Sequence, residues 1–386
     1  MSRRISFLSK ACEGSSGWVQ IHGHVNSQAN PVRENSPMLV SSVPGTHFYG
    51  ILPATRRFVP SMKAKVRNAA DPAAIRQAAS VIARGGLVVF PTETVYGLGA
   101  DACDPLAVAR IFEVKRRPYL DPIIVHVADL ESARLYGTFS GAAAALVSRF
   151  WPGPLTLVVP KNDRVPSITT AGLDTVAIRV PSHPVALSLI RATGRGLAAP
   201  SANLFGHVSP TEVGHISPTL AEGIDLILDG GRCPVGLEST VISLAGEFPR
   251  VLRAGGVPLE ALKEVLGRLD RTIEMNLRPE APGQLSRHYA TVTPLEILSE
   301  QDPRARQQPG ERVGLLSWIP PAAGAEFTAV EVLSPSGDLR EAAANLFASL
   351  HRLDSRHLDR LVAYPVPEEG LGVAIMDRLR RCSAAR

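Results

Sequence analysis

Cysteine is scarce in this chain: four in 386 residues, Cys12, Cys103, Cys233 and Cys382, far apart and with no CxxC pair. That spacing offers neither a disulfide framework nor a zinc site, and it points to a reducing, cytoplasmic compartment. No apolar run approaches the ~18 residues of a membrane span, so no membrane partner is expected. Aromatic residues make up 5% of the chain, and no aromatic-rich strand resembles an RNA-recognition surface. Several short signatures are missing as well: GxxxxGKS or GxxxxGKT, GxGxxG after a strand, HExxH and GxSxG. The P-loop, dinucleotide, zincin and serine-hydrolase readings therefore lack their carriers. If a nucleotide binds, dispersed side chains must hold its phosphates.

Acidic residues are nearly absent from the start of the chain. Residues 1–66 hold eight Lys or Arg against Glu13 and Glu34, and the net charge is +5, so the remainder carries −1. The basic pI of about 9.2 is thus a property of the leader, not of the folded part. Any anion site must come from local placement of a few cations.

What is present is ordinary globular material, 45% hydrophobic and 20% charged. The length exceeds the roughly 100–200 residues of one domain, so two domains are the starting expectation. The first sixty-odd residues have no helix or strand period. They read as a disordered leader, an Arg- and Ser-rich transit peptide, or upstream sequence with the true start at Met62. A leader without function is the expectation for residues 1–66.

From Asp71 the pattern turns regular. Asp71-Pro72 and Asp104-Pro105 are N-cap-plus-proline starts, the first helix stopped by Gly85-Gly86 and the second running to about Val114. Short Val-, Ile- and Leu-rich strands are predicted at 87–90, 123–127, 155–159, 176–180, 197–199, 224–228 and 241–244. Helices are predicted at about 130–150, 184–193, 209–216 and 258–268. Apolar strands interleaved with helices predict an α/β fold, an open twisted sheet with helices on both faces, over residues 67–268. Residues 269–310 read as a linker. Residues 311–386 read as a second, small α/β domain, with strands at 313–318, 329–333 and 361–364 and helices at 338–353 and 371–381.

The chemistry-bearing segments are expected on loops after strands, where open α/β sheets place their sites. Pro91–Asp101 offers Thr92, Thr94, Tyr96 and two glycines. Lys115 and Arg117 project to one side if their segment is extended, as Pro118 favours, and make a side-chain grip for phosphates. Ser201 and Asn203 follow another strand, with Ser209 at a predicted helix start. Arg253 stands beside Gly255-Gly256. His126 and Arg179 sit inside apolar strands. A lone guanidinium there needs an anion or a route to water.

Together these segments resemble the YrdC-like family, and the chain from about residue 70 resembles its two-domain members, the threonylcarbamoyl-AMP synthases. The resemblance is carried by PTETVYGLGADA (91–102), KRRPYLDPIIVHV (115–127), WPGPLTLVV (151–159), VAIRVPSHP (176–184), APSANLFGHVSPT (199–211), LDGGRCPVGLESTVI (228–242) and RVLRAGG (250–256). RHYA (287–290) and EEGLGVAIMDRLRR (368–381) extend it into the linker and a second, Rossmann-like domain.

The resemblance implies synthesis of threonylcarbamoyl-AMP from L-threonine, bicarbonate and ATP, with release of pyrophosphate and with Mg²⁺ as the accompanying ion. It implies a downstream partner, the machinery that transfers threonylcarbamoyl to tRNA reading ANN codons, and leaves direct tRNA contact open. Thr94, His126, Arg179 and Ser239 would hold threonine. Lys115, Arg117, Thr175, Ala199, Ser201, Asn203, Ser209, Arg253 and Tyr289 would surround ATP, with Lys115, Arg117, Ser201 and Asn203 catalytic. The linker would close as a lid, the last helix would not need to touch substrate, and the first domain, cut after Gly256, would fold alone. An RNA-binding or ribosome-maturation protein is the competing class; the neutral charge of the two domains speaks against it. Carbamoyl transfer in hydrogenase maturation would need an acylphosphatase module and CxxC fingers, which this chain lacks.

Overall fold

The computed structural model describes residues 64–270, 279–284, 288–299, 308, 310–321 and 327–384. The expected leader up to residue 63, and Arg287 of the RHYA run, lie outside the described residues. All described residues belong to one compact unit. Among them, no helix is long and apolar enough to cross a membrane.

The two predicted helix starts are built as their sequences dictate. Asp71 accepts from the Ala73 N–H at 2.8 Å and opens α1 (Pro72–Ala83). Asp104 accepts from Leu106 and Ala107 and opens α2 (Pro105–Lys115). Each cap satisfies orphan N–H donors of the first turn, and the proline costs nothing where no N–H is needed.

Among the described residues ten strands form one mixed sheet: β1 (Lys65–Asn68), β2 (Val88–Phe90), β3 (Gly97–Asp101), β4 (Val125–His126), β5 (Leu155–Pro160), β6 (Thr175–Arg179), β7 (Leu197–Ala198), β8 (Leu226–Asp229), β9 (Thr240–Ser243) and β10 (Arg250–Arg253). Their order is β1-β8-β2-β3-β7-β4-β6-β5-β9-β10. Between them run α3 (Leu130–Arg134), α4 (Gly141–Phe150), α5 (Pro184–Thr193) and α6 (Pro218–Ala221), and α7 (Leu259–Leu266) follows. Side-chain alternation divides the sheet's two faces. Val125, Leu157, Ile178, Ile242 and Val251 point to a core shared with α2, α4 and α7. On the other face, α1 and α5 cover Val88, Phe90, Leu226 and Leu228. Over the rest of that face no helix lies among the described residues. There Ile124, Val158, Ala177, Val241 and Leu252 meet Ala281 of the linker.

Three expectations are corrected. The helix at 130–150 is two helices, because Gly137 and Thr138 leave it to pair with the end of β5. No helix covers 209–216. A single 3₁₀ turn at Val213–His215 stands there, and the short α6 is capped by Ser217 instead. Strands β1, β3 and β10 were not expected, and β1 begins inside the stretch read as leader.

The second sheet is wholly parallel, in the order β11-β14-β12-β13. It comprises β11 (Leu295–Ile297), β12 (Val313–Ser317), β13 (Ala329–Val332) and β14 (Arg360–Ala363), with α8 (Leu339–Asp354) and α9 (Gly372–Ser383). Strand β11 falls within the segment read as linker, so this sheet starts at Leu295. Its helices do not close a private core. Leu346, Phe347, Leu350 and Ile375 share one cluster with Val95, Val208, Leu237 and Ala254 of the first part. In a fragment cut after Gly256 those four side chains would lose their apolar cover.

Gly236 marks how closely the parts approach. Its φ is +71°, and a Cβ there would stand 2.5 Å from Ala343 O and from Ala344 Cα of α8. Gly231 shares the positive φ but has open space. Gly236→Ala should therefore cost at least about 2 kcal/mol, the left-handed penalty plus overpacking, and Gly231→Ala only about 1 kcal/mol. Urea unfolding of the two variants checks this; equal losses would show that α8 does not press on Gly236.

Candidate active site

The uncovered part of the sheet face is the floor of a cleft. His126 of β4 and Arg179 of β6 are register partners, so both side chains rise from the same face. Arg253 joins them through a bulge. Val251 pairs with Ile242, but Arg253 pairs with Val241, so β10 carries one extra residue. Val251 enters the opposite core, Leu252 faces the cleft, and the bulge keeps Arg253 on the cleft side as well. Thr92 and Thr94 form one wall, Ala199, Pro200 and Ser201 another, and Glu238 with Ser239 a third. Pro282 and His288 of the linker close the top, and Arg117 lies at the rim. The free space left inside is about 40 Å³, room for one or two waters.

Each cation here is tethered. Arg179 donates from Nη1 to Thr94 Oγ1 at 2.9 Å and from Nε to Gly153 O at 3.2 Å, and pairs through Nη2 with Glu93 Oε1 at 2.6 Å. The Thr94 hydroxyl in turn lies 2.8 Å from that of Thr92. Arg253 donates to Ser239 O from Nε and Nη2, to Ser239 Oγ from Nη2 at 3.2 Å, and to Pro282 O from Nη1 at 3.1 Å. It thereby ties strand, loop and linker. Arg117 donates to the carbonyls of Asp121 and Pro122 and pairs with Asp121 Oδ2 at 2.9 Å.

Lys115 departs from the extended grip that its spacing suggests. It is the last residue of α2, and Arg116 turns left-handed after it, so its ammonium runs inward. Nζ donates to Ser201 O at 2.5 Å and to Asn203 O. Burial, and then the neighbouring Arg117, pull its pKa well below the usual lysine value. Lys115 thus pins the Ser201–Asn203 loop and does not line the cleft.

Of the expected site residues, Thr94, Arg117, His126, Arg179, Ala199, Ser201, Ser239 and Arg253 line one cleft. Asn203 is buried beside it, its amide nitrogen held by Leu204 O and His207 O. The Ser209 hydroxyl donates to Glu238 Oε1 at 2.6 Å and reaches the cleft only through that carboxylate. Tyr289, in the linker itself, is wholly buried and stacked on Phe347 of α8. Thr175 is not brought in: it opens β6 at the far end from Arg179, about 13 Å along the strand.

Five residues escaped the sequence reading: Glu93, Glu238, Pro282, His288 and Arg378. The two acids carried a signal, since a carboxylate in a buried apolar segment needs a partner. The buried charge around the cleft is Lys115, Arg117, Arg179, Arg253 and Arg378 against Glu93, Asp121 and Glu238. That excess of cations suits an anion. Among the described residues, His126 Nδ1, His288 Nδ1, Asn203 Oδ1 and Tyr289 Oη are buried and have no hydrogen-bond partner, as in a site built for a polar ligand.

Residues 80–255 match the family model described as Telomere recombination (Sua5, YciO, YrdC), and residues 257–384 the one described as Threonylcarbamoyl-AMP synthase, C-terminal domain. The threonylcarbamoyl-AMP synthase of Pyrococcus abyssi is 41% identical over 344 residues, 83% of this chain and 97% of that protein. Its counterpart in Bacillus subtilis is 42% identical over 323 residues, 81% of this chain and 93% of that one. The crystal structure of P. abyssi Sua5 complexed with L-threonine aligns with a TM-score of 0.76 at 40% identity, over 82% of this chain and 96% of that one.

Burial, and then Arg179, push the His126 imidazole down to about 3 from 6.5. The folded protein therefore keeps it neutral, whereas the unfolded chain takes up a proton as pH falls through about 6.5. Its share of stability is complete above that pH and is lost progressively toward pH 3. His126→Asn should flatten the fall of Tm between pH 6.5 and 4 relative to the parent, whatever its effect at pH 8. Parallel Tm-against-pH curves would show that His126 is not held neutral.

Proposed function

The chain belongs to the threonylcarbamoyl-AMP synthase family, and from that premise we propose how its cleft makes the product. The reaction joins L-threonine, bicarbonate or CO₂, and ATP into threonylcarbamoyl-AMP and releases pyrophosphate. Threonine's amine takes up CO₂ as a carbamate. A carbamate oxygen attacks the α-phosphorus, a P–O bond forms, and pyrophosphate leaves in line with the bond pair. Such a step needs positioning and charge neutralisation more than a protein nucleophile.

The observation that carries the site assignment is the single sheet face on which Arg179, His126 and Arg253 converge under a linker. Arg179, already aligned by Glu93 and Thr94, takes the threonine carboxylate, with His126, Thr94 and Ser239 around the rest of the amino acid. Arg117, Ser201, Asn203 and Arg253 face the phosphates of ATP. Lys115 holds the Ser201–Asn203 loop in place for them. Ala199 and Tyr289 flank the nucleotide end. Glu93 and Glu238 are each engaged by an arginine, and no group of three or more His, Cys, Asp or Glu side chains could hold a metal among the described residues. The residues do not fit a resident ion, so Mg²⁺ enters as part of the substrate, MgATP.

In this reading the linker carrying Pro282 and His288 opens for substrate and closes over it. Closure excludes water from a labile mixed anhydride. Residues 67–268 are the catalytic domain in this reading. The enzyme works in the cytoplasm and passes its adenylate to the machinery that modifies the adenosine beside the anticodon in tRNA. The comparisons favour the synthase and offer nothing for an RNA-binding or ribosome-maturation role.

Incubation with ATP, threonine and bicarbonate should yield threonylcarbamoyl-AMP by mass spectrometry. Valine in place of threonine should lower adenylate formation at least about a hundredfold, because it leaves buried hydroxyl partners unpaired. Comparable yields would mean that the hydroxyl is not read in this cleft. Arg117→Ala should cut turnover at least about tenfold, the worth of one charge-assisted contact of roughly 1.5–3 kcal/mol. An unchanged rate would remove Arg117 from the phosphate site.

A further inference from the structure

We propose that Arg378, on the last helix of the second domain, is a positioning residue for this reaction, holding the cleft wall of the first domain through Glu238. The proposal rests on the reading that the substrates occupy this cleft.

Arg378 is fully buried and is the largest such side chain among the described residues. Its guanidinium serves both edges of one wall. Nε and Nη2 each donate to Glu238 Oε2 at 3.1 Å, while Nη1 donates to Ala254 O at 2.7 Å and pairs with Asp377 at 2.8 Å. Glu238 adjoins Ser239 and Ala254 adjoins Arg253, the serine and arginine that face substrate. The other Glu238 oxygen accepts from Ser209, so the carboxylate is fixed from two sides. The guanidinium also lies 5.2 Å from the centre of the Tyr289 ring, the buried anchor of the linker. One planar fork thus reaches the start of β9, the end of β10 and the lid.

Stability alone does not account for this arrangement. A buried ion pair is weak evidence for stability, since apolar side chains of like volume hold such an interface as well or better. Around Arg378 the interface is already apolar, with Leu346, Phe347, Ile375 and Leu379 packed on Leu237 and Ala254. What an apolar residue cannot do is orient a carboxylate. Burial raises the Glu238 pKa, but Arg378 and Arg253, with the Ser209 hydrogen bond, outweigh it and keep the group ionised. An ionised carboxylate in the cleft wall has one arrangement of hydrogen bonds, and Arg378 selects it.

The test follows threonine- and bicarbonate-dependent pyrophosphate release by the full chain, with thermal unfolding alongside. Arg378→Lys keeps a buried cation but loses the fork. It should lower kcat at least about tenfold, with smaller changes in KM for ATP and threonine. Arg378→Met strands the Glu238 carboxylate and risks misfolding, so it is made together with Glu238→Gln, a pair without buried charge. In the Glu238→Gln background either Arg378 substitution should change kcat by less than about threefold, because the arginine acts through the carboxylate. Parental kinetics in Arg378→Lys with only Tm reduced, or equal losses in both backgrounds, would falsify the proposal. Arg253→Lys separates this from failure of the cleft reading. If it is impaired while Arg378→Lys is not, only the proposal falls; if neither is impaired, the cleft reading falls too.

Discussion

Buried positive charge is the constraint around which this molecule is arranged. Five cations, Lys115, Arg117, Arg179, Arg253 and Arg378, are nearly sealed from water. Each would be intolerable without oxygen partners. The chain supplies those partners from segments far apart in sequence: Glu93 for Arg179, Asp121 for Arg117, the carbonyls of Ser201 and Asn203 for Lys115, and Glu238 for Arg378. Satisfying the charges therefore fixes the loops. The cations that line the cleft are held by the loops they hold.

That arrangement explains why a sheet face, not only the loops at strand ends, forms the floor of the site. An arginine or histidine on a covered face has no route to water, so it must meet a partner or a ligand. Helices α1 and α5 seal one half of the face. The other half is closed by a linker that contributes Ala281, Pro282 and His288. A linker can leave and return; a packed helix would bury the cations for good.

Most of the architecture could be read from local patterns, and the misses share a cause. The two Asp-Pro helix starts follow from backbone chemistry and appear where expected. Ser209-Pro210 carries the same kind of signature, yet its hydroxyl serves Glu238, and the cap goes to Ser217. Strand β3, Gly-Leu-Gly-Ala-Asp, has no β-branched residue and so no strand signal, although it lies inside the sheet, between β2 and β7. The run around Lys115 can be read from its spacing. That its chain end turns left-handed at Arg116 and buries the ammonium cannot. Arg378 stood in a helix thought not to touch the site, and only the docking of the two sheets reveals its partner. Long-range partners decide the function of a polar residue, and a single sequence does not print them.

The core shared by the two parts also imposes an order on biosynthesis. When the chain as far as Gly256 has left the ribosome, Val95, Val208, Leu237 and Ala254 have no cover, and Glu238 lacks Arg378. The helices that supply both lie beyond residue 338. At common elongation rates the wait is roughly ten seconds. For that interval the nascent first domain carries a sticky apolar patch beside an acid that lacks its main partner. Chaperone contact during synthesis is then a foreseeable demand of this architecture, one that a relative without the second domain would escape by placing polar side chains at those positions.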